Sequence, residues 1–222
     1  MSIIEPSKQN INKPQTTKKY TSALRLWHWG NFIIISGSLL TVAINSYILK
    51  GQTALKIVND QLSQSGLNVT NEQARSVVGG LRDRVWDFHI YFGYCLASFL
   101  LFRIILEFFQ PGDQKFFGHL KVLFRRYKVN KNPADNTRHD LVVKSLYALF
   151  YVLLLIMACT GLSLAFYQDD PSLKSLMHTV KDVHGFCMYP ILIFICLHLA
   201  GVFLAERDRS KGIVSDMING GK

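Results

Sequence analysis

The stretch VHGFCMYPILIFICLHLAGVFLA, residues 183–205, runs for 23 residues without a charge and carries two histidines, His184 and His198. A helix of about 20 apolar residues crosses a bilayer, so the stretch is long enough to span one. The two histidines lie 14 residues apart. At about 100° per residue this is about 40° short of four full turns, so both project from nearly one face, roughly 21 Å apart along the axis.

Two further uncharged runs, Leu26 to Leu49 and Ser145 to Gln168, are equally long. A fourth, Val85 to Glu107, is uncharged only from Phe88 to Phe102 and then meets Arg103. It spans if Arg103 snorkels or finds a partner. Its other reading, a buried soluble helix, lacks a soluble core to join. The composition agrees with spans. Hydrophobic residues make up 49 % and charged residues 18 %, below the roughly 25 % of a soluble domain. Basic residues outnumber acidic ones 25 to 15, for a net charge of +10. An apolar chain with basic loops points to lipid, not to nucleic acid. Disorder is excluded as the main theme, and the four Cys lie in apolar runs rather than in a disulfide framework.

The expected fold is an all-α, integral-membrane four-helix bundle with spans at about 26–49, 85–107, 145–168 and 183–205. A polar arm, 1–22, precedes the domain at 23–206, and a basic tail, 207–222, follows it. Orientation comes from loop charge. The arm (Lys8 to Arg25), the loop from Lys115 to Arg138 and the tail supply sixteen basic residues, against seven in the two opposite loops. The positive-inside rule puts both termini in the cytoplasm. The first run is too long for a signal-peptide core, so it is expected to remain as a span. In the first opposite loop, Thr70-Asn71-Glu72-Gln73 resembles a capping box, followed by Ala74, Val77, Val78 and Leu81. This predicts a short amphipathic helix ending near Gly79-Gly80. Asn68-Val69-Thr70 matches a glycosylation sequon, a pattern frequent by chance.

Seven His occur, and four lie within or at the ends of spans: His28, His89, His184 and His198. An imidazole at membrane depth is costly unless something binds it. For a single ring, a hydrogen bond to a neighbouring helix explains it equally well. Four at matched depths favour a site. Chain direction puts His89 level with His184 outside, and His28 near the level of His198 inside. Two nitrogens do not satisfy zinc, which wants three or four ligands. A haem brings four nitrogens of its own and asks for one or two axial ligands. Two stacked bis-histidine haems would carry electrons through the membrane. No Cys-x-x-Cys-His occurs, so the expected cofactors are two haem b.

Haem propionates are anions and call for cations. Arg103 shares the face of His89, 14 residues on, and reaches the inner level; Arg25 lies one turn before His28. Arg82, Arg84 and Lys181 are available outside, although each is also readable as a solvated loop charge. Gly37, Gly93, Gly161 and Gly201 would admit either a flat macrocycle or a close helix contact. The four Cys read as packing residues, the three Trp as an interfacial belt, and Pro190 as a kink.

Arg25-Leu26-Trp27-His28-Trp29, Val85-Trp86-Asp87-Phe88-His89 with Gly93-Tyr94 and Arg103, Thr160-Gly161, and the His184/His198 spacing together resemble the bacterial cytochrome b561 family. That family includes the b-type subunits of membrane nickel–iron hydrogenases. The resemblance covers roughly residues 20–206. It implies a four-helix di-haem protein exchanging electrons with quinone, with ligands at His28, His89, His184 and His198. Loop 50–84 is longer than in compact stand-alone members.

The expected role is therefore electron transfer across the bacterial inner membrane, between the quinone pool and a periplasmic redox protein or a dehydrogenase or hydrogenase subunit. The alternative is a stand-alone oxidoreductase acting on a small molecule such as superoxide at the outer haem. Steering an anion favours a positive funnel, whereas the outer loops hold seven basic and seven acidic residues. Quinone is expected near the inner haem, at Arg103, His119 or His139.

Overall fold

The computed structural model describes residues 20–67, 70–109, 135–209 and 211–221, together with Val122 and Arg125. The expected arm up to residue 19, the sequon at Asn68 and most of the basic loop from Lys115 onward lie outside the described residues, as do the side chains of His119 and His139.

The described chain is all helical. Helix α1 is Ser22–Ala43, extended by a π-helical turn, Ile44–Ile48. Then follow α2, Gly51–Gln64; α3, Asn71–Phe109; and α4, Asp135–Tyr167. A short 3-10 turn, Pro171–Leu173, leads into α5, Lys174–Leu204, and α6 is Ile213–Asn219. Four helices are long and apolar enough to cross a membrane: Ser22–Ile48, Asn71–Phe109, Leu141–Tyr167 and Pro171–Arg207. The protein is a multi-pass membrane four-helix bundle.

Local chemistry sets the helix ends. Thr21 caps α1 by accepting from Leu24 N–H at 3.3 Å. The expected capping box forms at α3: Thr70 Oγ1 accepts from Gln73 N–H at 3.2 Å, and Gln73 Oε1 accepts from Thr70 N–H at 2.8 Å. Asp170 accepts from both the N–H and the hydroxyl of Ser172, which holds its carboxyl below the usual carboxylate range.

One expectation fails. No separate helix ends at Gly79-Gly80; α3 runs unbroken from Asn71 to Phe109. Each interior glycine costs about 1 kcal/mol relative to Ala. The capped start and the burial of Ala74 and Val78 in the two turns before the glycines keep the helix continuous. Helix α2 was not foreseen. It packs against α3 through buried Ala54, and Asn59 Nδ2 donates to Asn71 Oδ1 at 3.3 Å. Helix α5 continues through Pro190, which has no N–H to give the carbonyl of Phe186.

Burial is inverted relative to a water-soluble bundle. Phe108, Phe109, Phe186 and Phe203 are exposed, whereas Asn31, Thr41, Asn45 and Arg103 are buried. Apolar surface facing outward costs nothing in hydrocarbon, whereas polar groups must find partners inside. Backbone packing is extensive from α1 to α3, from α3 to α4 and from α4 to α5. The core where α3, α4 and α5 meet consists of Leu100, Leu153, Leu154, Ala158, Cys187 and Ile191. Of the four free cysteines only Cys187 is buried there; Cys95, Cys159 and Cys196 are exposed. Gly30 and Gly37 of α1 let the rings of Phe99 and Phe92 of α3 approach, since a Cβ at either position would collide with them.

Leu154 is 1 % exposed. Leu154→Ala should cost about 2–5 kcal/mol, seen as a lowered unfolding midpoint in detergent micelles. Ala at Leu155, which is 47 % exposed, should leave that midpoint nearly unchanged.

Candidate functional site

Helix α5 packs along α4, and its two histidines reach across to the other two spanning helices. His198 of α5 faces His28 of α1 with ring centres 6.2 Å apart and planes at 58°. His184 of α5 faces His89 of α3 at 6.3 Å and 80°. The first pair lies at the end of the bundle that carries both termini, the terminal end. The second lies at the opposite, distal end.

These separations discriminate between chemistries. A direct N–H···N bond between imidazoles would draw the centres to about 5 Å. Two metal–nitrogen bonds of about 2.0 Å, each with about 1.1 Å from nitrogen to ring centre, span about 6.2 Å. Both pairs match the second distance. Among the described residues no group of three or more His, Cys, Asp or Glu could hold a metal ion. Each pair is thus a set of two facing imidazoles, the number of protein nitrogens that a haem, which brings four of its own, would call for. Gly93, one turn from His89, and Gly201, one turn from His198, face open space, with nothing within 4 Å of a Cβ built there. Gly161 instead meets the His184 ring, and Gly37 serves the α1–α3 contact.

The ring surroundings differ between the two ends. At the distal end, His89 Nδ1 lies 3.0 Å from Thr41 Oγ1 and 3.3 Å from Ser38 Oγ. His184 Nδ1 lies 2.9 Å from Thr160 Oγ1. Trp86 stands edge-on to His89 at 5.2 Å. At the terminal end the neighbours are aromatic. Phe194 lies parallel to His198 at 5.9 Å and stacks on Phe150 at 4.2 Å. Tyr147 also meets His198, and Trp29 stands edge-on to His28. His28 Nδ1 is buried without a hydrogen-bond partner.

A family model described as prokaryotic cytochrome b561 matches residues 19–220. The chain belongs to that family.

No curated protein and no solved structure gave a significant match. Membership implies haem b binding and transmembrane electron transfer, and the donor set of the two pairs fits that cofactor.

The two expected arginines are both engaged by protein groups. Arg103 is 8 % exposed. Its NH1 pairs with Glu107 at 3.2 Å, its Nε donates to Tyr151 Oη at 3.2 Å, and its guanidinium lies 6.0 Å from the Trp27 ring centre. Glu107 stands at i+4, a spacing readable in the sequence. Arg25 donates through NH1 to the carbonyl of Ile218 and through NH2 to Ser22 Oγ. Trp29 Nε1 donates to the carbonyl of Met217 at 3.2 Å. Part of the expected basic tail is thus α6, docked on the start of α1. Arg84 pairs with Asp87 at 3.5 Å on the exposed beginning of α3, and the carbonyl of Arg82 accepts from Asn45 Nδ2.

Breaking a buried ion pair leaves one charge stranded. Glu107→Leu should destabilise the bundle by about 3 kcal/mol. The double substitution Arg103→Met with Glu107→Leu should recover most of that loss, measured as unfolding midpoints in one detergent.

Proposed function

We propose that this cytochrome b561 carries electrons across the bacterial cytoplasmic membrane through two haem b groups. One would be held by His28 and His198, the other by His89 and His184. The observation that carries the proposal is the pair of facing imidazoles at each end, both built on one rigid helix. Haem, when bound, supplies a one-electron Fe(III)/Fe(II) couple that needs no proton.

The chain's own residues do the rest. His28, His89, His184 and His198 would hold the two haems, each between two imidazoles, which would suit them to electron transfer rather than to binding oxygen. The 14-residue spacing on α5 sets the two sites roughly 21 Å apart along the axis, nearer between macrocycle edges. Arg25 is proposed as the cation near the terminal site that a haem carboxylate would meet, and Arg103, paired with Glu107, as the polar group on that side that a quinone carbonyl would approach. The charge asymmetry of the loops supports cytoplasmic termini. Quinone is then reduced or oxidised near the terminal site, and the distal end, with α2 and the start of α3, faces a periplasmic redox protein or a dehydrogenase or hydrogenase subunit. A stand-alone activity on an anion such as superoxide is less favoured: Arg84 is already paired with Asp87, and the loops at that end carry no net charge.

The purified protein should be red, with the reduced-minus-oxidised band of low-spin haem b and about two haems per chain. His198→Ala should remove one haem and keep at least part of the other, and His89→Ala should remove the complementary one. A colourless folded preparation, or either variant retaining both haems in full, would refute the assignment.

A further inference from the structure

We infer that Thr41 and Thr160 are positioning residues, which hold His89 and His184 in a single tautomer and set the reduction potential of the distal site below that of the terminal site. The inference rests on the haem reading above.

A threonine hydroxyl has one proton. Thr41 Oγ1 gives its proton to the carbonyl of Ser38 at 2.6 Å, and Thr160 Oγ1 gives its proton to the carbonyl of Ile156 at 2.6 Å. Each oxygen can then only accept from the imidazole beside it. The contacts to Nδ1 at 3.0 Å and 2.9 Å therefore require Nδ1–H on both His89 and His184, with Ser38 Oγ, 3.3 Å from the same His89 nitrogen, as a second and longer acceptor. Nε2 is the one nitrogen left with a lone pair, and it is the ligand. The same residue type, bonded in the same way, stands behind both members of the distal pair on two different helices, α1 and α4.

The terminal pair has no such support. His28 Nδ1 is buried and unpartnered. Among the described residues His198 meets Tyr147, Phe194 and His28 through ring contacts and makes no hydrogen bond.

The electronic consequence follows. Donation from Nδ1–H to an oxygen raises the basicity of the ligating nitrogen, and a more basic ligand stabilises the more oxidised metal. The distal site is thus the harder one to reduce. Of the two arginines on the terminal side, Arg103 is paired with Glu107 and changes the net charge little, whereas Arg25, held by neutral acceptors, favours the reduced state there. An electron shared between the sites then resides mainly at the terminal one, which gives the two-site path a direction.

The test is a redox titration of the purified di-haem protein carrying Thr41→Val and Thr160→Val together with Ser38→Ala, which removes the second acceptor behind His89, beside Thr41→Ser with Thr160→Ser. The His198→Ala variant, which keeps the distal haem, assigns the steps. In the valine protein the distal step should become about tenfold easier to reduce, a shift of about 59 mV for a one-electron couple. The terminal step should stay in place, and the serine protein should titrate like the wild type. Unmoved steps, two steps moving together, or a serine protein that follows the valine one would overturn the inference. If the valine protein loses its distal haem, nitrogen-15 NMR of the reduced, diamagnetic wild type decides. Hydrogen-bonded Nδ1–H signals from two of the four ligand histidines support the inference, and four alike overturn it. A colourless wild type would instead refute the haem reading itself. A red di-haem protein indifferent to the threonines would refute the inference alone.

Discussion

An imidazole placed in hydrocarbon must satisfy two ring nitrogens without help from water. That constraint organises the bundle. A hydrogen bond to a neighbouring helix satisfies one nitrogen, and only a partner beyond the ring satisfies the second. Helix α5 carries two such rings on one face, so two spanning helices must each bring an answering ring to the right depth. Helices α1 and α3 do so with His28 and His89. Helix α4 supplies no ring. It contributes Leu153, Leu154 and Ala158 to the core and Thr160 to the back of His184.

The bundle is therefore held in two different ways along its length. In its middle, where α3, α4 and α5 meet, apolar side chains interlock as they would in any helical core. Toward the ends, α5 stands beside α1 and α3 with less backbone contact, and imidazole pairs bridge the gap. A flat cofactor needs that arrangement: helices close enough to orient two ligands, yet far enough apart to leave a slot. The small residues divide between the two tasks. Gly30 and Gly37 bring α1 and α3 together over phenylalanine rings, while Gly93 and Gly201 leave space beside the histidines.

Much of this was legible in the sequence because it is local. The 14-residue interval between His184 and His198 becomes a shared face as soon as the segment is helical, and helicity follows from its length without charge. Matching depths for His28 and His89 follow from chain direction alone. What escaped was either non-local or a balance of small terms. Nothing in the sequence around Thr41 says that its hydroxyl meets a histidine on α3, since the two residues join only through packing. The Gly79-Gly80 break was misread because two helix penalties lost to a capping box and two buried apolar residues nearby. Helix α2 carries Ala54, Ile57, Val58 and Leu62 at helical spacing, a signal present but short. The docking of α6 on Arg25 and Trp29 joins residues nearly 200 positions apart.

The two arginines show how the same charge is used differently at two depths. Arg103 lies inside the bundle, where an unpaired cation would be costly, so a carboxylate one turn away and the Tyr151 hydroxyl answer it. Arg25 lies at the end of its helix and bonds to a backbone carbonyl and a serine hydroxyl, which orient it without cancelling its charge. Its guanidinium has five donors, of which these bonds use two. Among the described residues no acid pairs with it. A cation that is fixed in place by neutral acceptors and still uncompensated is suited to meet a carboxylate from a cofactor at the membrane surface. Arg103, already neutralised by Glu107, is better suited to shaping the polar ground beside Trp27 than to binding an anion.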